Sequence, residues 1–369
     1  MIYTVKWGIL ATGGIAAQFA KDLLVNPTSR NIHDLKHEVV AVGSSSKVEK
    51  AVEFIKSIGA SESTTAAYGS YEELVKDPNV DVIYVATPHT FHYANSKLAL
   101  EAGKHVLCEK PFTVNTEQLK HLRDIAKAKN LFLMEAVWTR YFPAVLDLQK
   151  KLFEDKIIGK IHRVYSDFSI DFGVEDLPYS HRMIDPELGG GALLDLGIYA
   201  LTWVFLINYA DPDNKKQPPK FSGSIIKTPR SGVDEHTSIT MAFEEGRTMA
   251  IATTSMSSPA NREVCIRIEG SKGVVTVPWA PSQPCSYKVY SYGDNDDLKE
   301  GQVVSFEIPG GGRGMFWEAD EVGRCLAAGK LESDRMSLDE SILITSIMDK
   351  VRYDNDLRYP AHLEAVDDT

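Results

Sequence analysis

Val5-Lys6-Trp7-Gly8-Ile9-Leu10-Ala11-Thr12-Gly13-Gly14-Ile15-Ala16 opens as a compact apolar run, breaks at two glycines and passes straight into a helical pattern over residues 17–25. Strand, glycine turn and helix in that order make a dinucleotide-binding unit. Glycine lets the backbone approach a pyrophosphate, and the helix N terminus offers its free N–H groups to the same anion. Ala11 stands where the first glycine of GxGxxG normally sits, a small departure. Thr12, Gly13, Gly14 and Ile15 complete the turn, and Ala16 permits close packing of helix on strand. A tight strand-to-helix turn with no ligand would look much the same, so the neighbouring strands carry the reading.

The next strand, Glu38–Gly43, ends in Ser44-Ser45-Ser46-Lys47. An NAD site usually places a carboxylate there for the ribose 2'-hydroxyl, whereas hydroxyls plus a cation suit a 2'-phosphate, so the expected cofactor is NADP(H). Asp81–Ala86 is a third strand, and Ala86-Thr87-Pro88-His89 with His92 follows it. The two histidines lack the acidic and cysteine partners of a metal site, so they read as a cap or a cofactor contact and no metal is expected. His105–Phe112 is a fourth strand that stops at Glu109-Lys110-Pro111. Proline fixes that turn and holds Lys110 at the carboxyl edge, where ligands bind in an open α/β sheet. Leu131–Ala136 delivers Trp138 and Arg140 to the same edge.

Four or five strands alternating with helices predict an α/β fold whose first domain, residues 1–138, is a doubly wound parallel (Rossmann) sheet. Beyond it the rhythm changes to strand after strand, with helices at 144–154, 192–206, 316–328 and 337–352. Residues 139–369 therefore read as an α+β domain with a large, mainly antiparallel open sheet.

A chain of 369 residues, 43% hydrophobic and 25% charged, is ordinary globular composition with room for two domains. A net charge of -11 argues against a nucleic-acid surface and favours a small-molecule partner. The four cysteines are scattered, which suits a reducing, cytoplasmic setting. A strand beginning by Val5 leaves no room for a cleavable leader. The apolar segment 192–210 contains Asp195 and follows three glycines, so it reads as a buried helix and no membrane is expected.

Within Gly189-Gly190-Gly191-Ala192-Leu193-Leu194-Asp195-Leu196-Gly197-Ile198-Tyr199, Asp195 and Tyr199 are four apart, which puts both on one helical face. The glycines allow another backbone or a ligand to come close. On the segment alone, Tyr199 reads equally as a core tyrosine and as a functional one.

Taken together, the Ala11–Ala16 turn, Thr87-Pro88, Glu109-Lys110-Pro111, Trp138-x-Arg140-x-x-Pro143 and Gly189–Tyr199 resemble the Gfo/Idh/MocA oxidoreductase family in order and spacing. The chain looks most like the branch of dimeric dihydrodiol dehydrogenases and fungal NADP-dependent D-xylose 1-dehydrogenases. That resemblance implies Lys110 as the catalytic lysine, a cis bond to Pro111, and Tyr199 where many relatives carry histidine. It implies Asp195 as a supporting carboxylate, Arg140 and Trp138 near the cofactor, Arg182 lining the substrate pocket, and a homodimer. A free tyrosine titrates near pH 10, and an ammonium alongside favours its phenolate, so Lys110 would tune Tyr199 as the base. The implied reaction is oxidation of D-xylose to D-xylono-1,5-lactone. A dihydrodiol dehydrogenase or dicarbonyl reductase would use the same pair, and a silent NADPH sensor would have lost one of them.

Overall fold

The computed structural model describes residues 2–366. In its first unit, β1 (Tyr3–Leu10) is flanked by β2 (Leu35–Gly43) and β4 (Val82–Val85). Between and beyond them come α1 (Gly14–Leu23), α2 (Val48–Ile58), β3 (Ala66–Tyr68), α3 (Tyr71–Leu74), α4 (His92–Glu101), β5 (His105–Glu109), α5 (Thr116–Ala128) and β6 (Leu133–Ala136). All six strands are parallel, in the order β3-β2-β1-β4-β5-β6. Val82–Val85 is wholly buried and carries no charged residue, as suits a strand covered on both faces. The expected parallel sheet is thus present. It has six strands because β3, only three residues long, gave too short a run to read.

Register decides where ligands can go. Leu10 lies opposite both Gly43 and Val85, Val85 opposite Cys108, and Cys108 opposite Glu135. The strands therefore finish along one edge, and their order reverses at β1. That reversal opens the crevice in which doubly wound sheets bind ligands.

The second unit begins with α6 (Pro143–Phe153) and β7 (Ile161–Asp167). One continuous helix follows, α7 (Ile198–Val204) extended at either end by π-helical turns over Leu193–Gly197 and Phe205–Tyr209. The sheet is completed by β8 (Lys220–Lys227), β9 (Asp234–Phe243), β10 (Thr248–Ser255), β11 (Ile266–Gly270), β12 (Gly273–Val277), β13 (Ser286–Ser291) and β14 (Gln302–Ser305). Its order is β14-β13-β12-β11-β7-β10-β9-β8, and every pairing is antiparallel except β7 with β10. Burial alternates along β10, as expected where one face is covered, here by α7. Residues 186–209 are long and apolar enough to cross a membrane by length and composition, but 94% of their most apolar window is buried in the protein.

The chain then adds α8 (Phe316–Ala327), α9 (Leu338–Asp354) and the short α10 (Ala361–Glu364). The first compact unit comprises Met1–Trp138, Ile308–Ile342 and Ala365–Thr369, and the second Thr139–Glu307 and Leu343–Glu364. A single division at 138/139 does not describe that arrangement, because α8 returns to the first unit. Its anchor is Asp320, which accepts hydrogen bonds from Arg30 Nε at 2.7 Å and Nη2 at 2.8 Å and meets His37 Nε2 at 2.9 Å. Trp7 Nε1 donates to the far side of the same imidazole at 3.1 Å, so α8 is tied to β1 and β2. No sequence pattern announced this network, since its members lie almost 300 residues apart.

Burial pushes the Asp320 carboxyl up, but the hydrogen bonds and charge of Arg30 and His37 hold it below the usual range. A folded-state pKa below the unfolded one stabilises the fold above the unfolded value and loses that contribution as pH falls through the folded value. Asp320→Ala leaves Arg30 buried without this partner and should cost about 3 kcal/mol in urea unfolding at neutral pH. The deficit should shrink once the pH drops below about 4.

Candidate active site

At the carboxyl edge of β1 the turn is built for an anion. Gly13 is extended (φ -82°, ψ 178°), no side chain caps α1, and a Cβ added at Gly13 or Gly14 would meet nothing within 4 Å. Open space above uncapped N–H groups fits the pyrophosphate of a dinucleotide. Ala11 is a larger departure than the sequence suggested, because its φ is +108°, in the left-handed region that glycine occupies without strain. Its N–H is held by Gly43 O at 3.2 Å across the β1–β2 edge.

Beyond β2, Ser44 is buried and its hydroxyl accepts the Ser46 N–H at 3.4 Å, while Ser45, Ser46 and Lys47 are exposed. A cavity of about 660 Å³ opens there, lined by Ser46, Lys47, Tyr68, Glu73 and Lys76 among others. Ser46, Lys47 and Lys76 are groups that suit a phosphate on the ribose, and Glu73 and Asp77 line the same cavity.

The turns after β4 and β5 are braced against each other. His92 Nδ1 lies 2.8 Å from Pro111 O and Nε2 lies 2.9 Å from Thr87 O. Burial pushes this imidazole down to about 4, so it is neutral, and its one N–H donates to one of the two carbonyls while the ring fills the space between the two backbone turns. His89, also buried, and Ala86 and Pro88 sit at the same strand end. Glu109 accepts from the Tyr84 hydroxyl and, at 3.2 Å, from the Lys110 N–H; the Lys110–Pro111 bond is cis. Phe112 N–H donates to Glu135 Oε1 at 3.1 Å and Ser341 donates to Oε2 at 2.9 Å, which fixes the far side of the turn. Trp138 follows β6 on this edge, so the structure gathers every cofactor residue expected in the first unit along one line of strand ends. Arg140, assigned with them, is buried at 3% exposure in the second unit.

The second unit brings Arg182 to Asp195, four residues before Tyr199 on the same helix. Arg182 Nη1 pairs with Asp195 Oδ1 at 2.9 Å, the arginine half exposed and the carboxylate nearly buried. The helix that carries Asp195 and Tyr199 is π-wound over Leu193–Gly197, a geometry enriched at functional sites that a 3.6-residue pattern cannot reveal. Tyr199 packs edge-on against Phe168 at 5.1 Å, Phe168 stacks on Trp279 at 5.2 Å, and Arg262 lies 4.0 Å over the Trp279 ring. Sequence reasoning missed Phe168, Trp279 and Arg262. Their only signal is that Phe168 and Trp279 each stand just past the end of a strand.

The chain belongs to the Gfo/Idh/MocA oxidoreductases: residues 5–137 match the oxidoreductase family domain with an NAD-binding Rossmann fold, and residues 148–276 match the GFO/IDH/MocA C-terminal domain. It is 46% identical to a D-xylose 1-dehydrogenase (NADP(+)) of Hypocrea jecorina, over 97% of this chain and 94% of the relative. It is 34% identical to a trans-1,2-dihydrobenzene-1,2-diol dehydrogenase of Danio rerio, over 94% of this chain and 96% of the relative. The fold is shared with a 3-ketoreductase of Actinomadura kijaniata solved with NADP, at a TM-score of 0.76 and 22% identity, covering 95% and 97% of the two chains.

Ala11→Gly should relieve the left-handed strain and raise stability by about 1 kcal/mol, the strain of 1–3 kcal/mol less the extra entropy of glycine. Thermal melting checks it, and a fall in melting temperature would show that the methyl group is better accommodated than φ implies.

Proposed function

We propose that the protein oxidises an aldose at C1 using NADP+, with D-xylose giving D-xylono-1,5-lactone. The near-full-length likeness to the D-xylose 1-dehydrogenase carries this reading, since the dihydrodiol dehydrogenases match less closely over a similar span. When bound, NADP+ supplies the acceptor for the hydride that leaves C1. The Ala11–Ala16 turn would hold its pyrophosphate and the Ser44–Lys47 loop its 2'-phosphate, with Ser46 and Lys47 lining the cavity beside β2. Ala86–His89, Glu109, Trp138 and Arg140 are assigned to the rest of the cofactor by the family motifs.

Tyr199 takes the proton of the C1 hydroxyl as the lactone carbonyl forms. Lys110 is the cation that the family motif assigns to that step. The Arg182–Asp195 pair offers both a donor and an acceptor to sugar hydroxyls within one helical turn of Tyr199. The row Tyr199, Phe168 and Trp279 supports a second reading, because flat aromatic faces also suit a dihydrodiol ring. A homodimer through the open face of the eight-stranded sheet follows from the family resemblance and is supported by Met249 and Ile226, which are exposed on strands of that sheet. The four free cysteines are compatible with a cytoplasmic protein.

Near-ultraviolet absorbance of the purified protein with D-xylose and NADP+ tests the assignment. Reduction of NADP+ by the sugar is expected, and turnover of a trans-dihydrodiol alone would transfer it to the second reading. Tyr199→Phe and Lys110→Met should each lower kcat by about 1,000-fold while NADPH still binds. Lys47→Ala should raise KM for NADP+ by about tenfold and leave KM for NAD+ unchanged, since only the former carries the 2'-phosphate.

A further inference from the structure

The helix that bears Asp195 and Tyr199 starts poorly supported by its own sequence. Three glycines precede it, no local side chain caps the turn that begins at Leu193, and that turn is π-wound. Its support comes from Asp234, the first residue of β9 and 0% exposed. Asp234 Oδ2 accepts the Leu193 N–H at 2.6 Å and the Thr237 hydroxyl at 3.1 Å.

The glycines are what let this carboxylate in. Gly191 has φ +120°, and a Cβ there would lie 2.0 Å from Asp234 Oδ1, closer than any side chain could tolerate. A Cβ on Gly190 would stand 2.9 Å from Met183 O and 3.0 Å from the Asp185 backbone, and the Gly190 carbonyl accepts the Tyr359 hydroxyl at 2.7 Å. At Gly191 the close approach is therefore by a side chain of the same unit.

We propose that Asp234 is a positioning residue for the reaction, capping the Asp195–Tyr199 helix from the neighbouring strand and thereby fixing the direction in which both side chains point. A helical turn held at its first N–H cannot rotate about its axis, and Asp195 is two residues and Tyr199 six residues beyond that hydrogen bond. Burial pushes the Asp234 carboxyl up to about 7, opposed by its hydrogen bonds to Leu193 and Thr237. A carboxyl accepts an N–H in either protonation state, so the cap depends on shape and not on charge. The proposal rests on Tyr199 being the reacting hydroxyl.

The test compares Asp234→Ala, Asp234→Asn and Gly191→Ala with Tyr199→Phe, using whichever of D-xylose or the dihydrodiol the unmodified protein turns over. Asparagine keeps an acceptor toward Leu193, so Asp234→Asn should stay within about threefold of the unmodified kcat. Asp234→Ala should lower kcat by about 30-fold with KM for NADP+ unchanged, since small displacements of reacting groups are costly. Gly191→Ala should show the same signature, because its methyl displaces the carboxylate. Hydrogen exchange at the amides of residues 193–199 should quicken in both alanine variants, a readout independent of turnover. Unchanged kcat and exchange in Asp234→Ala, beside an inactive Tyr199→Phe, would overturn the proposal; so would equal losses in the alanine and asparagine variants. Activity retained in Tyr199→Phe would instead overturn the assignment of the reacting hydroxyl. If Asp234→Ala does not fold, Thr237→Val removes the hydroxyl that orients the carboxylate, and faster exchange over 193–199 is expected; no change would overturn the proposal.

Discussion

Parallel pairing of β1 with β2 on one side and β4 on the other is the constraint from which the first unit follows. Parallel strands must run the same way, so every strand of that sheet ends at one edge. A helix must carry the chain back each time. The turns that follow the strands are consequently neighbours, however far apart they lie in sequence. Thus Ala11–Ala16, Ser44–Lys47, Thr87–His92 and Glu109–Pro111 form one surface, and His92 adds a direct contact between the last two.

That surface is stiffened by buried polar groups and not by its own loops. His92 spans two turns, Glu135 ties the Glu109–Pro111 turn to Ser341, and Asp320 clamps the returning helix to β1 and β2. Glu135 and Asp320 are each hydrogen-bonded on at least two sides, as low-dielectric surroundings demand. The second unit uses the same device at the start of its central helix, where Asp234 substitutes for a local cap. In both units a carboxylate distant in sequence does what neighbouring residues fail to do.

Apolar periodicity and turn chemistry made the strands of the parallel sheet legible, because a strand buried on both faces must be a short unbroken apolar run. The same logic located Asp195 and Tyr199 as polar residues on an otherwise apolar helix. Short or exposed elements were not legible: β3 and β14 are three and four residues long, too brief to establish a period. The chain's return to the first unit at residues 308–342 was equally hidden, since nothing in a helix's own pattern says which sheet it will cover.

By itself the sequence determined the alternation of strands and helices, the glycine turn, the hydroxyl-and-cation loop after β2 and the Glu109-Lys110-Pro111 turn. These depend on residues within one turn or strand of each other, and local sterics and hydrogen bonding suffice to read them. Only the tertiary structure decided that Ala11 is held at positive φ, that Phe168 and Trp279 line up with Tyr199, and that the space beside Gly191 is occupied by Asp234. Those contacts join residues tens of positions apart, and strand register, which is settled by packing across the whole sheet, is what brings them within reach.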